Sequence, residues 1–303
     1  MEEQNLLLKP KNDVVFHALF REENKRITES LISDILGEKV ILKKGNKDRH
    51  LNIKTEKQKL GIIDLRTEFE DGTKCNIELQ LLEHKYENER FLYYWADSYS
   101  RQLVKGDEYG ELHKTISIII LDHEIEEMKE SEKIGLKWQI RDEETGKKIL
   151  TDHLEIVIIE IPKALRLYKK NKENRICQWM LFFNNPNEKE VLKIMEENED
   201  IKEAVDELTG MSKDEELQRL AFLREKAIRD EKSIRRTGLE EGIEKGKEEG
   251  LKLGIEQGKK IGIKEGIKSE KLKIAKNMLK KNINIKDIIE ITGLTEEEIN
   301  QIE

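Results

Sequence analysis

Glycine returns at every fourth position from 238 to 266, eight times without a break. The residue after each glycine is apolar in six of the eight repeats (Leu239, Ile243, Leu251, Ile255, Ile263 and Ile267), with Lys247 and Lys259 as the exceptions. A spacing of four overshoots the 3.6 residues of a helical turn, so on a straight helix the stripe drifts by about 40° per repeat. It stays on one seam only where helices wind around each other right-handedly. Each glycine in a helix interior costs about 1 kcal/mol relative to alanine, and eight of them roughly 8 kcal/mol. An isolated helix does not carry that load. Residues 231–269 are therefore expected to be either flexible or a helix packed closely on a copy of itself, with the 238–266 repeat favouring a homo-oligomer.

The rest of the chain is long enough, at 303 residues in all, for at least one well-buried core. The formal charge of the whole chain, -8, works against a polyanion. Contact with nucleic acid must then come from a local basic patch or from metal ions that screen carboxylates against phosphates. The tail is no basic arm, since residues 231–303 hold 16 Lys/Arg against 15 Asp/Glu. Cys75 and Cys177 are far apart, which excludes zinc ribbons and disulfide frameworks and suits a reducing cytosol. The N-terminus is acidic ahead of its short apolar run, the reverse of a signal peptide. The longest apolar runs, Ile116–Leu121 and Ile156–Ile159, are far shorter than a membrane span. The expectation is a soluble, cytoplasmic protein with no membrane partner.

Apolar spacing predicts a helix over Asn12–Leu36, ended by Gly37. Short β-rich stretches follow at Val40–Leu42 and Leu51–Ile53, then stronger ones at Gly61–Phe69 and Lys74–Leu82, joined by a hairpin turn at Glu70-Asp71-Gly72-Thr73. A helix is predicted over Tyr86–Val104 and a fully covered strand over Thr115–Leu121. Trp138–Arg141 and Leu154–Ile161 read as further strands, and residues 163–230 as helical. This order predicts an α/β domain over 1–230, a mixed sheet with helices packed on it. After the repeat, 270–303 reads as a small helical module over Glu270–Lys281, Ile285–Ile291 and Glu296–Ile302, with Gly293 at a turn and a Thr295/Glu298 capping box. It looks like a helix-turn-helix, but three consecutive acids, Glu296 to Glu298, would face phosphates. A structural or oligomer-capping role is expected there.

The chemistry concentrates in the hairpin. Alternation along Gly61-Ile62-Ile63-Asp64-Leu65-Arg66 puts Asp64, Arg66 and Glu68 on one face; along Asn76-Ile77-Glu78-Leu79-Gln80 it puts Glu78 with Gln80. Pairing through the Asp71-Gly72 turn brings positions 64 and 78 side by side. Two adjacent, partly desolvated carboxylates repel unless a divalent cation lies between them, and Mg²⁺ prefers such hard oxygen ligands. The spacing equally allows both acids to lie on the wet face of an ordinary hairpin. No HxxxH or HxH spacing, Walker A or GxGxxG sequence, or serine-nucleophile motif is present.

Asp64, a gap of thirteen residues and Glu78-x-Gln80 resemble the D…(D/E)xK core of PD-(D/E)XK nucleases, with glutamine in place of lysine. More narrowly, residues 9 to about 122 resemble the Rpn family of recombination-promoting nucleases and transposase-like proteins. The resemblance is carried by Lys11-x-Asp13-x-x-Phe16 with Leu19-Phe20, Gly61-Ile62-Ile63-Asp64, Ile77-Glu78-Leu79-Gln80, Arg90-x-x-x-Tyr94 and the Ile116–Leu121 strand. It extends to Glu160-x-Pro162-Lys163 and to the glycine tail.

The resemblance implies a restriction-endonuclease-like fold and cleavage of double-stranded DNA dependent on Mg²⁺ or Mn²⁺. Asp64 and Glu78 would bind the metal, together with the Leu79 backbone carbonyl. Gln80 stands where the superfamily's lysine positions the attacking water; it can orient water but brings no charge. Lys59 is a nearby cation or a surface lysine. Asp13 either completes the metal shell or serves as an N-terminal helix acid. Arg90 and Tyr94, four apart on one helix face, either contact phosphate or buttress the sheet. The implied function is a metal-dependent DNA endonuclease linked to recombination, transposition or defence. The alternative is a catalytically degenerate nuclease fold that works as an oligomerising interaction module.

Overall fold

A computed structural model describes residues 6–44 and 62–302, and the side chains of residues 62–64 lie outside that description. The chain divides into two compact units, Met1–Lys232 and Ser233–Glu303. Five strands make one sheet in the first unit: β1 (Ile62–Glu68), β2 (Lys74–Gln80), β3 (Thr115–Leu121), β4 (Leu136–Trp138) and β5 (Leu154–Glu160), in the order β1-β2-β3-β5-β4. The two outer pairings are antiparallel, and β2-β3 and β3-β5 are parallel. This is the mixed sheet flanked by helices that the hairpin resemblance implies.

The middle strand explains the layering. Thr115–Leu121 is buried at every position. Ile116, Ile118 and Ile120 enter a large core, while Ile119 and Leu121 enter a smaller one on the other face. A parallel strand covered on both sides needs no polar alternation, hence the unbroken apolar run. The larger core is supplied by α1 (Asp13–Leu19), α2 (Lys25–Leu36), α4 (Ile161–Tyr168), α5 (Arg175–Asn184), α6 (Lys189–Glu197) and α7 (Glu199–Met211). Trp179 fills it, with its indole Nε1–H donating to Asp34 at 2.8 Å. The smaller core lies under α3 (Glu87–Ser100), whose Phe91 joins Ile119, Leu121, Ile156 and Ile158.

Several predicted boundaries shift for local reasons. The helix expected over 12–36 breaks into α1 and α2, because Asn24 Nδ2 donates to the Leu19 carbonyl at 3.0 Å and replaces the helical bond there. The strand expected at Trp138–Arg141 lies instead at Leu136–Trp138, paired with Ile156–Ile158. Beyond it Asp142 accepts from the Thr145 and Lys148 amides and turns the chain back, leaving only an Arg141–Ile149 bridge. Val40–Leu42 reduces to a bridge between Leu42 and Phe69, and Leu51–Ile53 lies outside the described residues. Gly72 does close the hairpin, at φ +89 and with the His113 ring where a Cβ would stand.

The stretch expected as a separate helix over Glu270–Lys281 is the end of a single continuous helix, α8 (Glu215–Lys280), which carries the whole glycine repeat. Beyond it lie α9 (Ile285–Thr292) and α10 (Glu296–Asn300). Gly293 at φ +65 ends α9, and the Thr295/Glu298 capping box starts α10. Ala275, Ile288, Leu294 and Ile299 form the small core of this module. No described helix is long and apolar enough to cross a membrane.

Burial lowers the His17 imidazole in α1 from its ordinary 6.5 to about 4. A base held neutral in the folded state takes its proton more readily when unfolded, so stability falls as pH drops from 6.5 toward 4. The slope from this one group is at most ~1.4 kcal/mol per pH unit. Urea unfolding of wild type and His17→Gln between pH 7 and 4.5 checks it: the variant should lose stability less steeply with acid.

Candidate active site

Strand alternation gives β2 two chemically opposed faces. Cys75, Ile77 and Leu79 point into the large core. Asn76, Glu78 and Gln80 share the other face, the one on which α3 packs, and are 5%, 4% and 0% exposed. Glu78 and Gln80 are therefore not on a wet hairpin face. Burying three polar side chains in a row costs several kcal/mol unless they satisfy one another, at roughly 1–3 kcal/mol each.

They do so in a ladder. Asn76 Nδ2 donates to Glu78 Oε1 at 3.0 Å, and Gln80 Nε2 donates to Glu78 Oε2 at 3.3 Å. A carboxylate flanked by amides must receive their N–H groups, so each amide turns its oxygen away. Both of those oxygens, Asn76 Oδ1 and Gln80 Oε1, are buried without a hydrogen-bond partner among the described residues. Ser117 Oγ, on the β3 residue registered beside Asn76, is in the same condition. Buried polar atoms without partners are rare in folded proteins, and these three lie on one face of the sheet.

The hairpin register sets Asp64 directly opposite Glu78, Ile62 opposite Gln80 and Arg66 opposite Asn76. Residues opposite one another in an antiparallel pair belong to the same face of the sheet. Position 64 thus lies beside the one carboxylate of the ladder, although nothing further is described of its side chain. Among the described residues no three His, Cys, Asp or Glu side chains converge to hold a metal. Glu78 supplies carboxylate oxygens of the hard kind that a divalent cation takes, each also accepting an amide hydrogen bond. Leu79, between Glu78 and Gln80, is in register with Ile63 and Ile120.

The remaining sequence candidates fall in different places. Asp13 opens α1 and forms an ion pair with Arg224 of α8. Burial outweighs that arginine and holds its carboxyl above the usual range. Arg90 and Tyr94 are neighbours on α3, with the guanidinium 5.8 Å from the ring centroid; Arg90 Nη2 is buried without a hydrogen-bond partner among the described residues. Lys59 lies outside the described residues. Lys11, part of the first motif, binds Asp122 and Asn184 at 3.1 Å each, and the Asp122 amide donates to the Gln80 carbonyl at 2.9 Å. The Glu160-x-Pro162-Lys163 motif is a buried ion pair of 2.6 Å at the start of α4, with Glu160 also accepting from the Ile125 amide. Asn76 was missed in the sequence, yet its place two residues before Glu78 assigns it to the same strand face.

A mixed five-stranded sheet flanked by helices, with an acid on the second strand of its antiparallel hairpin, is consistent with the PD-(D/E)XK nuclease fold. Residues 10–238 match the family model described as PD-(D/E)XK nuclease family transposase, and the chain belongs to that family. Residues 268–303 match the C-terminal helix-turn-helix domain of the Rpn/YhgA-like nuclease family. Neither the curated proteins nor the solved structures yield a match.

The Asp13–Arg224 pair yields a stability test, because both side chains are mostly buried, at 11% and 19% exposed. Arg224→Met should lower unfolding free energy by about 3–5 kcal/mol by stranding a buried carboxylate. Asp13→Asn combined with Arg224→Met should recover most of that loss, read from urea midpoints.

Proposed function

We propose that the chain is a metal-dependent DNA endonuclease. The observation that carries this reading is the register of Asp64 against a Glu78 that is buried and oriented by amides on both sides. In this reading Asp64 and Glu78 hold one Mg²⁺ or Mn²⁺, with the Leu79 carbonyl as a further oxygen ligand. When bound, the ion supplies an activated water and neutralises charge that builds on a phosphate. Asn76 holds the Glu78 carboxylate in a fixed rotamer. Gln80, through its buried and otherwise unpartnered oxygen, accepts a hydrogen bond from the attacking water and so orients it. It adds no positive charge where a lysine would, and the Arg90 guanidinium beside Tyr94 is the side chain proposed to hold the strand instead. Asp13 remains the partner of Arg224.

The partner proposed for the tail is a second copy of the chain. All eight glycines of α8 have open space where a Cβ would be, so nothing within the described chain packs on them. Three exposed ion pairs, Arg236–Glu240, Glu248–Lys252 and Glu256–Lys260, contribute at most about 0.5 kcal/mol each, far below the roughly 8 kcal/mol that the glycines cost. Leu239, Ile243, Leu251, Ile255, Ile263 and Ile267 are each about half exposed or more. Charge selects the orientation: residues 238–251 carry five Glu and two Lys, and 252–268 carry five Lys and two Glu. An antiparallel copy matches each half to its opposite. Two nuclease units on one duplex could then cut both strands.

Two measurements separate the parts of this proposal. Plasmid nicking should require Mg²⁺ or Mn²⁺ and fall at least a hundredfold in Asp64→Ala and in Glu78→Ala; equal activity in all three proteins would remove the enzyme and leave the interaction module. Light scattering should give the full chain the mass of a dimer or higher oligomer and a chain ending at Arg236 the mass of a monomer. An unchanged oligomeric state in the truncated chain would sink the tail's role.

A further inference from the structure

A cavity of about 520 Å³ opens at the turn end of the β1–β2 hairpin, between the sheet and the last turn of α3. Arg66 and Asn76 from the strands and Ser98, Arg101 and Gln102 from the helix side line it. It is linked to the ladder by one residue, since Asn76, which lines the cavity, donates its amide N–H to Glu78. What Asn76 offers a ligand is thus a carbonyl oxygen, 95% of the residue being buried and that oxygen having no partner among the described residues.

An acceptor of this kind repels a bare phosphate and calls for an N–H donor. Two acids in the lining, Glu68 and Glu111, also disfavour an anion filling the whole space. Glu68 is engaged: burial pushes its carboxyl up, but hydrogen bonds from Lys43 and Lys74 outweigh that and hold it below the usual range. The rim carries two arginines, Arg66 on β1 and Arg101 just past α3, the latter 71% exposed and in a surface pair with Asp97 that is weak enough for a phosphate to compete with. A neutral, donor-bearing body inside and a negative group at the rim describe a nucleotide.

We infer that this cavity receives one unpaired nucleotide of the strand being cut, with the N–H edge of its base on Asn76 Oδ1 and its phosphate on the Arg66–Arg101 rim. The inference rests on the nuclease reading for its biological setting, and it narrows the substrate to DNA whose bases can leave the stack beside the cut. Extruding a base is costly in a paired duplex and least so where the base is mismatched or single-stranded. Substrates with an unpaired base should therefore be preferred.

The test uses the full-length protein without metal and the four deoxynucleoside 5′-monophosphates as probes, followed by calorimetry or saturation-transfer NMR. Wild type should bind them, with inorganic phosphate binding at least tenfold more weakly. Ser98→Phe, which fills the cavity, and Arg101→Ala, a surface change that spares the fold, should each weaken binding at least fivefold. In parallel, both variants should lower kcat/KM for a DNA carrying a single mismatch at least fivefold while leaving Mn²⁺ affinity as in wild type. Equal monophosphate binding in wild type and both variants, or equal binding of inorganic phosphate, overturns the cavity proposal. If wild type cuts no DNA but binds monophosphates in a cavity-dependent way, the nuclease reading fails and the nucleotide site stands.

Discussion

Glu78 is a carboxylate held inside a sheet, and much of the first unit is arranged so that this is possible. Its strand is flanked on both sides, by β1 and by β3, and roofed on the polar face by α3. A buried charge in such a place is tolerated only when its oxygens are satisfied, which Asn76 and Gln80 do from the positions above and below. The opposite face of the same strand contributes Ile77 and Leu79 to the large core. The site is therefore fixed by packing behind it as well as by hydrogen bonds within it. That fixity suits the proposed role of Glu78, because its geometry is set before any ligand arrives.

Conserving the position of β2 falls to contacts far away in sequence. Lys11 reaches Asp122 and Asn184, and Asp122 in turn holds the Gln80 carbonyl through its own amide. At the same end of the parallel strands, Glu160 and Lys163 bury an ion pair that also takes the Ile125 amide and the Met128 carbonyl. Such pairs are expensive to desolvate and contribute little net stability over apolar substitutes. Their effect is to fix where strand ends and loops lie. Lys11 and the Glu160–Lys163 pair, motif residues outside the hairpin, thus act on strand ends and loops.

Much of this was legible in the sequence because period two is unambiguous in β1 and β2. The alternation of Ile77 and Leu79 with Glu78 and Gln80 assigns both faces, and Asp71-Gly72 sets the register that puts 64 opposite 78. The degree of burial was not legible, since it depends on α3 returning over that face. The helix split at Asn24 depends on a side chain reaching the Leu19 carbonyl five residues back, a bond that apolar spacing does not reveal. Arg224 as the partner of Asp13 comes from more than two hundred residues away and has no local signal. The cavity beside Asn76 is likewise a product of tertiary assembly.

The electrostatics of the whole chain and of the site point in opposite directions, and the difference is informative. A net charge of -8 repels DNA at long range. Within about a Debye length, ~10 Å at 0.1 M salt, local groups decide instead. Arg90 lies on the helix that roofs the site, Arg101 just past its end and paired with Asp97, and Arg66 on the strand beside Glu78. Binding driven by so few cations is weak without help, because each neutralised phosphate contributes only one released counterion. A divalent ion at the carboxylates would reverse the sign of the site's centre. In the proposed reading metal loading and DNA binding strengthen each other, so the ion serves to hold the strand as well as to cut it.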